Sequence, residues 1–213
     1  WRTQLGDLLV NASLTGAFNL IDIPTCSDIF VRLGTELAGD RVNPKARLHF
    51  DYPDSTHGMQ SRTRGAEIVG LLQREGALVA NVRRLTKKGE VEVFVKTSCR
   101  PSDLSANYYG ASFSPKVYPG QRITARVRVP ANASNMLLAA PFVWDDNHKQ
   151  RHQAQAIPLQ PGEWVTIAYD IPPMHNALLS EVGIVLHNLG EAWTGTLEID
   201  DIDWNGAPSF SND

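Results

Sequence analysis

The chain has 213 residues, of which 42% are hydrophobic and 20% charged, and a formal net charge of −3. That length suits one large domain or two small ones, burying roughly 70% of the unfolded surface. The composition offers no basic stripe for nucleic acid, and no apolar run approaches the about 18 residues of a membrane span. Neither nucleic acid nor a membrane is therefore expected as a partner.

The chain begins at Trp1 with no signal peptide in view, so it is expected to be a piece of a longer or processed protein. Its two cysteines, Cys26 and Cys99, form either one bridge or two unpaired thiols. No CxxC pair suggests zinc or redox work. Two N-x-S sequons, Asn11-Ala-Ser13 and Asn132-Ala-Ser134, have meaning only in a eukaryotic secretory pathway.

In chain order, residues 1–23 carry short apolar runs broken by Gly, Ser and Thr, which predict short strands. Residues 28–37 fit two periods. Ile29, Leu33 and Leu37 recur as in a helix, while Ile29, Val31 and Leu33 alternate as in a strand, and Gly34 argues for the strand. Over 45–52, Ala46, Leu48, Phe50 and Tyr52 share one face until Pro53-Asp54 ends the run. Residues 55–65 read as a loop or boundary, and 66–72 as too short and glycine-interrupted for a helix. The chain thus divides into an N-terminal β segment, 1–57, which adds to a sandwich or is the remnant of one, and a sandwich over 58–213.

From residue 78 the signal is strongly β. Residues 78–85 form a strand, Lys87-Lys88-Gly89 a hairpin turn, and 90–98 its partner with Val91, Val93 and Val95 inward. Residues 108–113 follow as a strand candidate. Then Ile123, Ala125, Val127 and Val129 point one way, and Arg122, Thr124, Arg126 and Arg128 the other. Strands over 137–144, 153–159 and 164–171 lead to a closing hairpin, 182–187 with 196–204. About nine strands with almost no helix predict an all-β fold, an antiparallel β-sandwich of jelly-roll type.

Four constellations carry possible chemistry. In Leu197-Glu-Ile-Asp-Asp-Ile-Asp-Trp204 the apolar residues switch face between Ile199 and Ile202, which predicts a bulge at Asp200–Asp201. A bulge there would aim oxygens at one point and suit a structural Ca²⁺; the alternatives are a solvated strand end bonded to amides or arginines, and a catalytic carboxylate pair. The segment from Phe142 to His152 is the densest polar-aromatic patch. Trp144 offers a flat face for a sugar ring, and Asp145, Asp146, Asn147, His148 and Arg151 offer planar hydrogen-bonding groups; the bland reading is a hairpin loop with Trp144 turned inward. His148 and His152 have metal-ligand spacing but no third ligand. Among the other aromatics, Trp193 falls in the loop of the closing hairpin, where exposure and ligand contact are expected. Finally, Arg122, Arg126 and Arg128 are expected to pair with the polar face of Glu90 and Glu92, or else to receive an anionic ligand. No GxSxG, phosphate loop or HExxH is present.

Tyr118-Pro-Gly-Gln121, Trp144-Asp-Asp-Asn-His148, Asn176-Ala-Leu-Leu-Ser-Glu-Val-Gly-Ile184 and Gly195-Thr-Leu-Glu-Ile-Asp-Asp-Ile-Asp-Trp204 carry a resemblance. Over 78–208 the chain resembles the β-sandwich region C-terminal to the catalytic domain of large bacterial ADP-ribosylglycohydrolase-like proteins. More broadly it is similar to jelly-roll carbohydrate-binding modules. The resemblance implies a non-catalytic accessory domain, with Asp200 or Asp201 near a structural calcium and ligand contacts on loops or on the concave sheet. It carries over no catalytic residue, because that family's helical, magnesium-binding catalytic domain has no counterpart here.

Three functions follow as expectations: a module binding a glycan or polysaccharide through Trp144, Asp145, Asp146, His148, Arg151 and Trp193; a structural accessory domain of a larger hydrolase, packed on a catalytic domain; and a sandwich-fold hydrolase or lyase. A glycan-binding role would favour a secreted or extracellular location.

Overall fold

The computed structural model describes residues 46, 48–51, 53–96, 117–133, 136–174, 177–206 and 209. Cys26, Cys99, the ambiguous 28–37 stretch and the strand candidate at 108–113 lie outside the described residues. The elements are β1 (Gln60–Arg74), β2 (Ala77–Lys96), β3 (Arg122–Arg128), β4 (Leu137–Asp145), β5 (Gln150–Gln153), β6 (Ile157–Pro158), β7 (Val165–Asp170), β8 (Leu179–Asn188) and β9 (Trp193–Asn205). Among the described residues there is no helix.

Residues 77–96 form one strand where a hairpin is predicted. The hairpin turn lies earlier, at Glu75-Gly76, where Arg74 pairs with Ala77 and both turn residues have positive φ, 51° and 77°. Two left-handed residues in a two-residue loop match the twist of the flanking strands. This makes 60–74 a strand rather than a loop and a broken helix. Lys88, with φ 62°, bends β2 instead of ending it. At the bend Arg64 pairs with Glu90 and Ala66 with Leu85, so Gly65 faces four residues of β2.

That corner carries both long strands from one sheet into another. One sheet runs β5–β4–β8 to the C-terminal half of β2 and the N-terminal half of β1. The other runs from the remaining halves of β1 and β2 through β9 and β3 to β7. The corner needs glycine for close approach: a Cβ on Gly89 would lie 2.6 Å from the Gly65 carbonyl oxygen, and one on Gly65 would lie 2.7 Å from Thr86 Oγ1. The Thr86 hydroxyl donates to the Gly65 carbonyl at 2.8 Å.

Between the sheets lies one core, with Leu78, Val82, Val91, Val93, Ile123, Val127, Ile184, Leu197 and Trp204 in a single buried cluster. The strict alternation of β3 places Ile123, Ala125 and Val127 in it, as predicted. Leu48 and Phe50 join the same core, and Leu48 exchanges backbone bonds of 3.0 and 3.1 Å with Ile202. The predicted bulge is present in β9. Thr124 pairs with Asp203 and Arg126 with Asp200, and Asp201 takes a φ of 49°. The extra residue turns Ile199 and Ile202 to the same core.

The last two strands do not pair with each other. β8 pairs with β2 in the first sheet and β9 with β2 in the second, so the link between them crosses the sandwich. Asn188, fully buried, fastens this crossing. Its Nδ2 donates to the carbonyls of Leu85 at 3.1 Å and Glu191 at 2.7 Å, and its Oδ1 accepts from the Gly190 N–H at 2.9 Å. The Leu85 carbonyl belongs to the bend, where the regular ladder is interrupted. Replacing Asn188 with Ala or with Asp, which cannot donate, is expected to lower stability by about 2–3 kcal/mol. Urea unfolding reads this directly, and an unchanged midpoint would contradict the assignment.

Candidate functional site

The first sheet turns one face to the core and the other outward. The pairing registers place Arg62 beside Glu92, Glu92 beside Val185, Glu90 beside His187, Phe94 beside Gly183, Glu181 beside Trp144 and Trp144 beside Arg151. Paired residues project on the same side, so these side chains share the outer face.

Its floor is apolar. Phe94, Ala140, Phe142 and Val185 form a second buried cluster, with Ala154 and Ala156 packed against it. Gly183 lets the floor close. A Cβ there would strike the Val93 carbonyl oxygen and lie 2.6 Å from Phe94 Cβ.

Above the floor is a network of three glutamates and three arginines. Arg62 enters from β1: its Nε donates to Glu92 at 2.7 Å and its Nη2 to Glu181 at 3.0 Å. Arg151 enters from the opposite edge, on β5, and spans β4 and β8 to reach Glu90 at 3.1 and 3.2 Å, and Glu92. Arg64 Nη2 lies 3.3 Å from Glu90. His187 completes the group, with Nδ1 3.5 Å from Glu90 and Nε2 3.4 Å from the Gln153 amide nitrogen. Burial pushes the His187 imidazole below its ordinary range, and Glu90 only partly offsets this. Burial would raise the Glu90 carboxyl, but Arg151 and Arg64 outweigh it and hold Glu90 below the usual carboxylate range.

Trp144 is half-buried at one end of this face. The Arg62 guanidinium carbon lies 5.3 Å from its ring centroid and 4.7 Å from that of Phe94. Of the residues singled out in sequence, Trp144 and Arg151 stand together here. Asp145 does not face outward. It is 1% exposed, and its carboxylate accepts backbone N–H bonds from Asn147 at 3.0 Å, His148 at 3.3 Å and Leu178 at 3.2 Å. His148 Nδ1 lies 2.6 Å from its other oxygen. Burial alone would raise this carboxyl, but the His148 side chain and the three amides hold it below its ordinary range. Asp145 thus folds the loop that His148 and Asp146 decorate. Asp146 bonds through its N–H to the Leu178 carbonyl at 2.8 Å and lies 3.3 Å from Lys149 Nζ. His152 pairs with Val143, on the side opposite to Arg151.

Trp193 stands elsewhere. It opens β9, pairs with Leu85, and is 8% exposed in the core with its ring against Gly195. The expected loop exposure fails because the β8–β9 link crosses between sheets and brings the indole inside. Asp200 and Asp201 lie on the second sheet, 3.7 and 3.1 Å from Arg126. Burial raises the Asp200 carboxyl; the Asp201 backbone N–H opposes this, the Asp201 charge adds to it, and Arg126 and the Phe50 amide oppose it, leaving Asp200 above its ordinary range. Among the described residues no three acidic, histidine or cysteine side chains gather to hold a metal.

The arginine row of β3 pairs differently from expectation. Arg122 bonds Asp170 at 2.7 Å and Arg128 bonds Glu198 at 2.8 Å, while Arg126 and Arg128 both lie within 5 Å of the Trp164 ring, at 4.9 and 4.7 Å. Glu90 and Glu92 belong to the other sheet and take Arg62, Arg64 and Arg151. The sequence reading missed Arg62, Arg64, Gln153, Glu181 and His187 as site residues. The Arg62-x-Arg64 alternation was the available signal, and it fell in a stretch read as a loop.

No family model matches the chain, and no curated protein is similar to it. Among solved structures, a carbohydrate-binding module of the β-sandwich superfamily, studied for promiscuous specificity, superposes with a TM-score of 0.55 at 15% identity. The match covers 78% of this chain and 64% of that one, so the chain spans less than two thirds of its relative's length. A CBM4 structure gives a TM-score of 0.44 at 14% identity, covering 78% of this chain and 99% of that one. The CBM22-1–GH10 modules of a Clostridium thermocellum xylanase, complexed with xylohexaose, give 0.45 at 11%, covering 79% and 30%. The first of these establishes what is shared: the β-sandwich fold of carbohydrate-binding modules.

Glu90 and Asp145 fix a pH dependence. Both carboxyls sit lower in the folded chain than in the unfolded one. Their stabilisation is therefore complete above the unfolded range, about pH 4.5, and is lost as pH falls through the depressed values. Melting temperature is expected to drop on acidification below about pH 4.5, with a shallower drop in Glu90→Gln. A melting temperature constant down to pH 3 would contradict the pairing.

Proposed function

We propose that the chain is a non-catalytic glycan-binding module whose ligand lies along the outer face of the first sheet. One observation carries this reading. A half-buried Trp144 stands beside Arg62 and Arg151 at the end of a sheet face that the core does not use, and the same face carries Gln153 and His187 further along. An indole supplies a flat apolar surface for the C–H face of a sugar ring, and guanidinium and amide groups match hydroxyls in the plane. The charge state argues against hydrolysis at this face. A glycosidase acid needs a raised pKa, whereas Glu90 is held low by arginines.

A second reading has its own support. Arg62 covers the rings of both Phe94 and Trp144, and the carboxylates are bonded to arginines rather than open to hydroxyls. Those features suit a structural accessory domain packed on a catalytic domain, as in an ADP-ribosylglycohydrolase-like parent. As a binding module, the chain belongs where polysaccharides are found, in a secreted or extracellular setting.

Affinity electrophoresis and calorimetry against a panel of soluble polysaccharides separate the two. Binding is expected, with Trp144→Ala weakening it at least about tenfold while the unfolding midpoint stays near that of the parent chain. No binding across the panel would sink this reading and leave the accessory role.

A further inference from the structure

Charge on the outer face is layered. The side chains of Glu90, Glu92 and Glu181 are 10, 8 and 3% exposed, while those of Arg151, Arg62 and Arg64 are 20, 42 and 75% exposed. Three carboxylates and three guanidinium groups balance in number, yet they do not balance in depth. Among the described residues that the registers place on this face, every carboxylate is buried and every guanidinium reaches solvent. A ligand approaching from water therefore meets N–H donors first, with the compensating negative charge one layer beneath. Coulomb attraction falls with distance, so at contact range the nearer cation dominates.

The donors are also available. Arg64 approaches Glu90 through Nη2 at 3.3 Å, and a guanidinium has five N–H donors in a fixed fork. Such a fork matches a carboxylate with two parallel hydrogen bonds. A neutral sugar makes no use of this geometry beyond ordinary hydroxyl bonds.

From this layering we infer that the face selects acidic glycans, polysaccharides bearing uronic carboxylates, over neutral ones, with Arg64 as a specificity-determining contact. The inference rests on the glycan-binding reading above and names its ligand class. Trp144 supplies stacking to any pyranose, and the guanidinium layer supplies the preference.

The test uses the full chain with sodium polygalacturonate and glucuronoxylan, each compared with its carboxyl-reduced, neutral derivative. The acidic form is expected to bind about tenfold more tightly, with the difference shrinking at about 0.5 M salt. Arg64→Gln, at a highly exposed position, is expected to weaken binding of the acidic polymers more than that of the reduced ones and so to remove most of that difference. Equal affinity for acidic and reduced polymers would overturn the inference while leaving glycan binding intact. Arg64→Gln weakening both forms alike would overturn the role of Arg64. Failure of all four polymers to bind would overturn the binding reading as well.

Discussion

The structure depends on the corner at which β1 and β2 pass together from one sheet to the other. Because β2 belongs to both sheets, it gives β8 its partner in one and β9 its partner in the other. The corner exists because Gly65 and Gly89 allow a backbone approach that a side chain would block. It is fastened from outside the hairpin, by Asn188, whose amide binds a carbonyl at the bend while its oxygen organises the link from β8 to β9. The crossing link then carries Trp193 into the core. A change at the corner would disturb both sheets at once, which is why one buried side-chain amide carries so much of the architecture.

The same corner decides where the charges go. By turning at 86–89, β2 presents Leu78, Ala80 and Val82 to the core from one sheet, and Val91, Val93 and Val95 from the other. Glu90 and Glu92 consequently fall on the outer face of the first sheet, where burial would be costly without partners. Arg62 and Arg151 supply those partners from opposite edges, over the apolar floor of Phe94 and Phe142. Glu90 and Glu92 each meet two arginines, so the network fixes the geometry of the face as well as its charge.

Much of this was legible in the residues. The alternation of β3 and the inward valines of β2 follow from period two alone, and the shift from Ile199 to Ile202 announces the bulge that Asp201 occupies. The corner was not legible. Lys88-Gly89 and Glu75-Gly76 offer the same local chemistry for a turn, and only pairing across the fold makes the second a hairpin and the first a bend. Trp193 misled for a related reason. The eight residues between the expected strands, 188–195, look like a hairpin loop, and nothing local shows that the link crosses between sheets. At the site, Trp144 and Arg151 were found because aromatic and charged residues crowd together in one segment. Arg62, Glu181 and His187 were missed because they meet only across strand registers. Asp145 looked like a ligand contact because a carboxylate beside a tryptophan suits sugar recognition, yet three backbone amides and His148 occupy it.

On the proposed reading, ligand binds on the outer face of the first sheet and not on the arginine-rich face of the second. Four of the chain's five tryptophans report on this separately, since Trp144 lies on the first face, Trp164 beside Arg126 and Arg128 on the second, and Trp193 and Trp204 in the core. The direct measurement is a nitrogen–proton correlation spectrum of the indole N–H groups during titration with an oligogalacturonate. Movement of the Trp144 resonance, with Trp164, Trp193 and Trp204 still, is the predicted result. Movement of Trp164 with Trp144 unchanged would place the ligand on the other sheet and contradict the account.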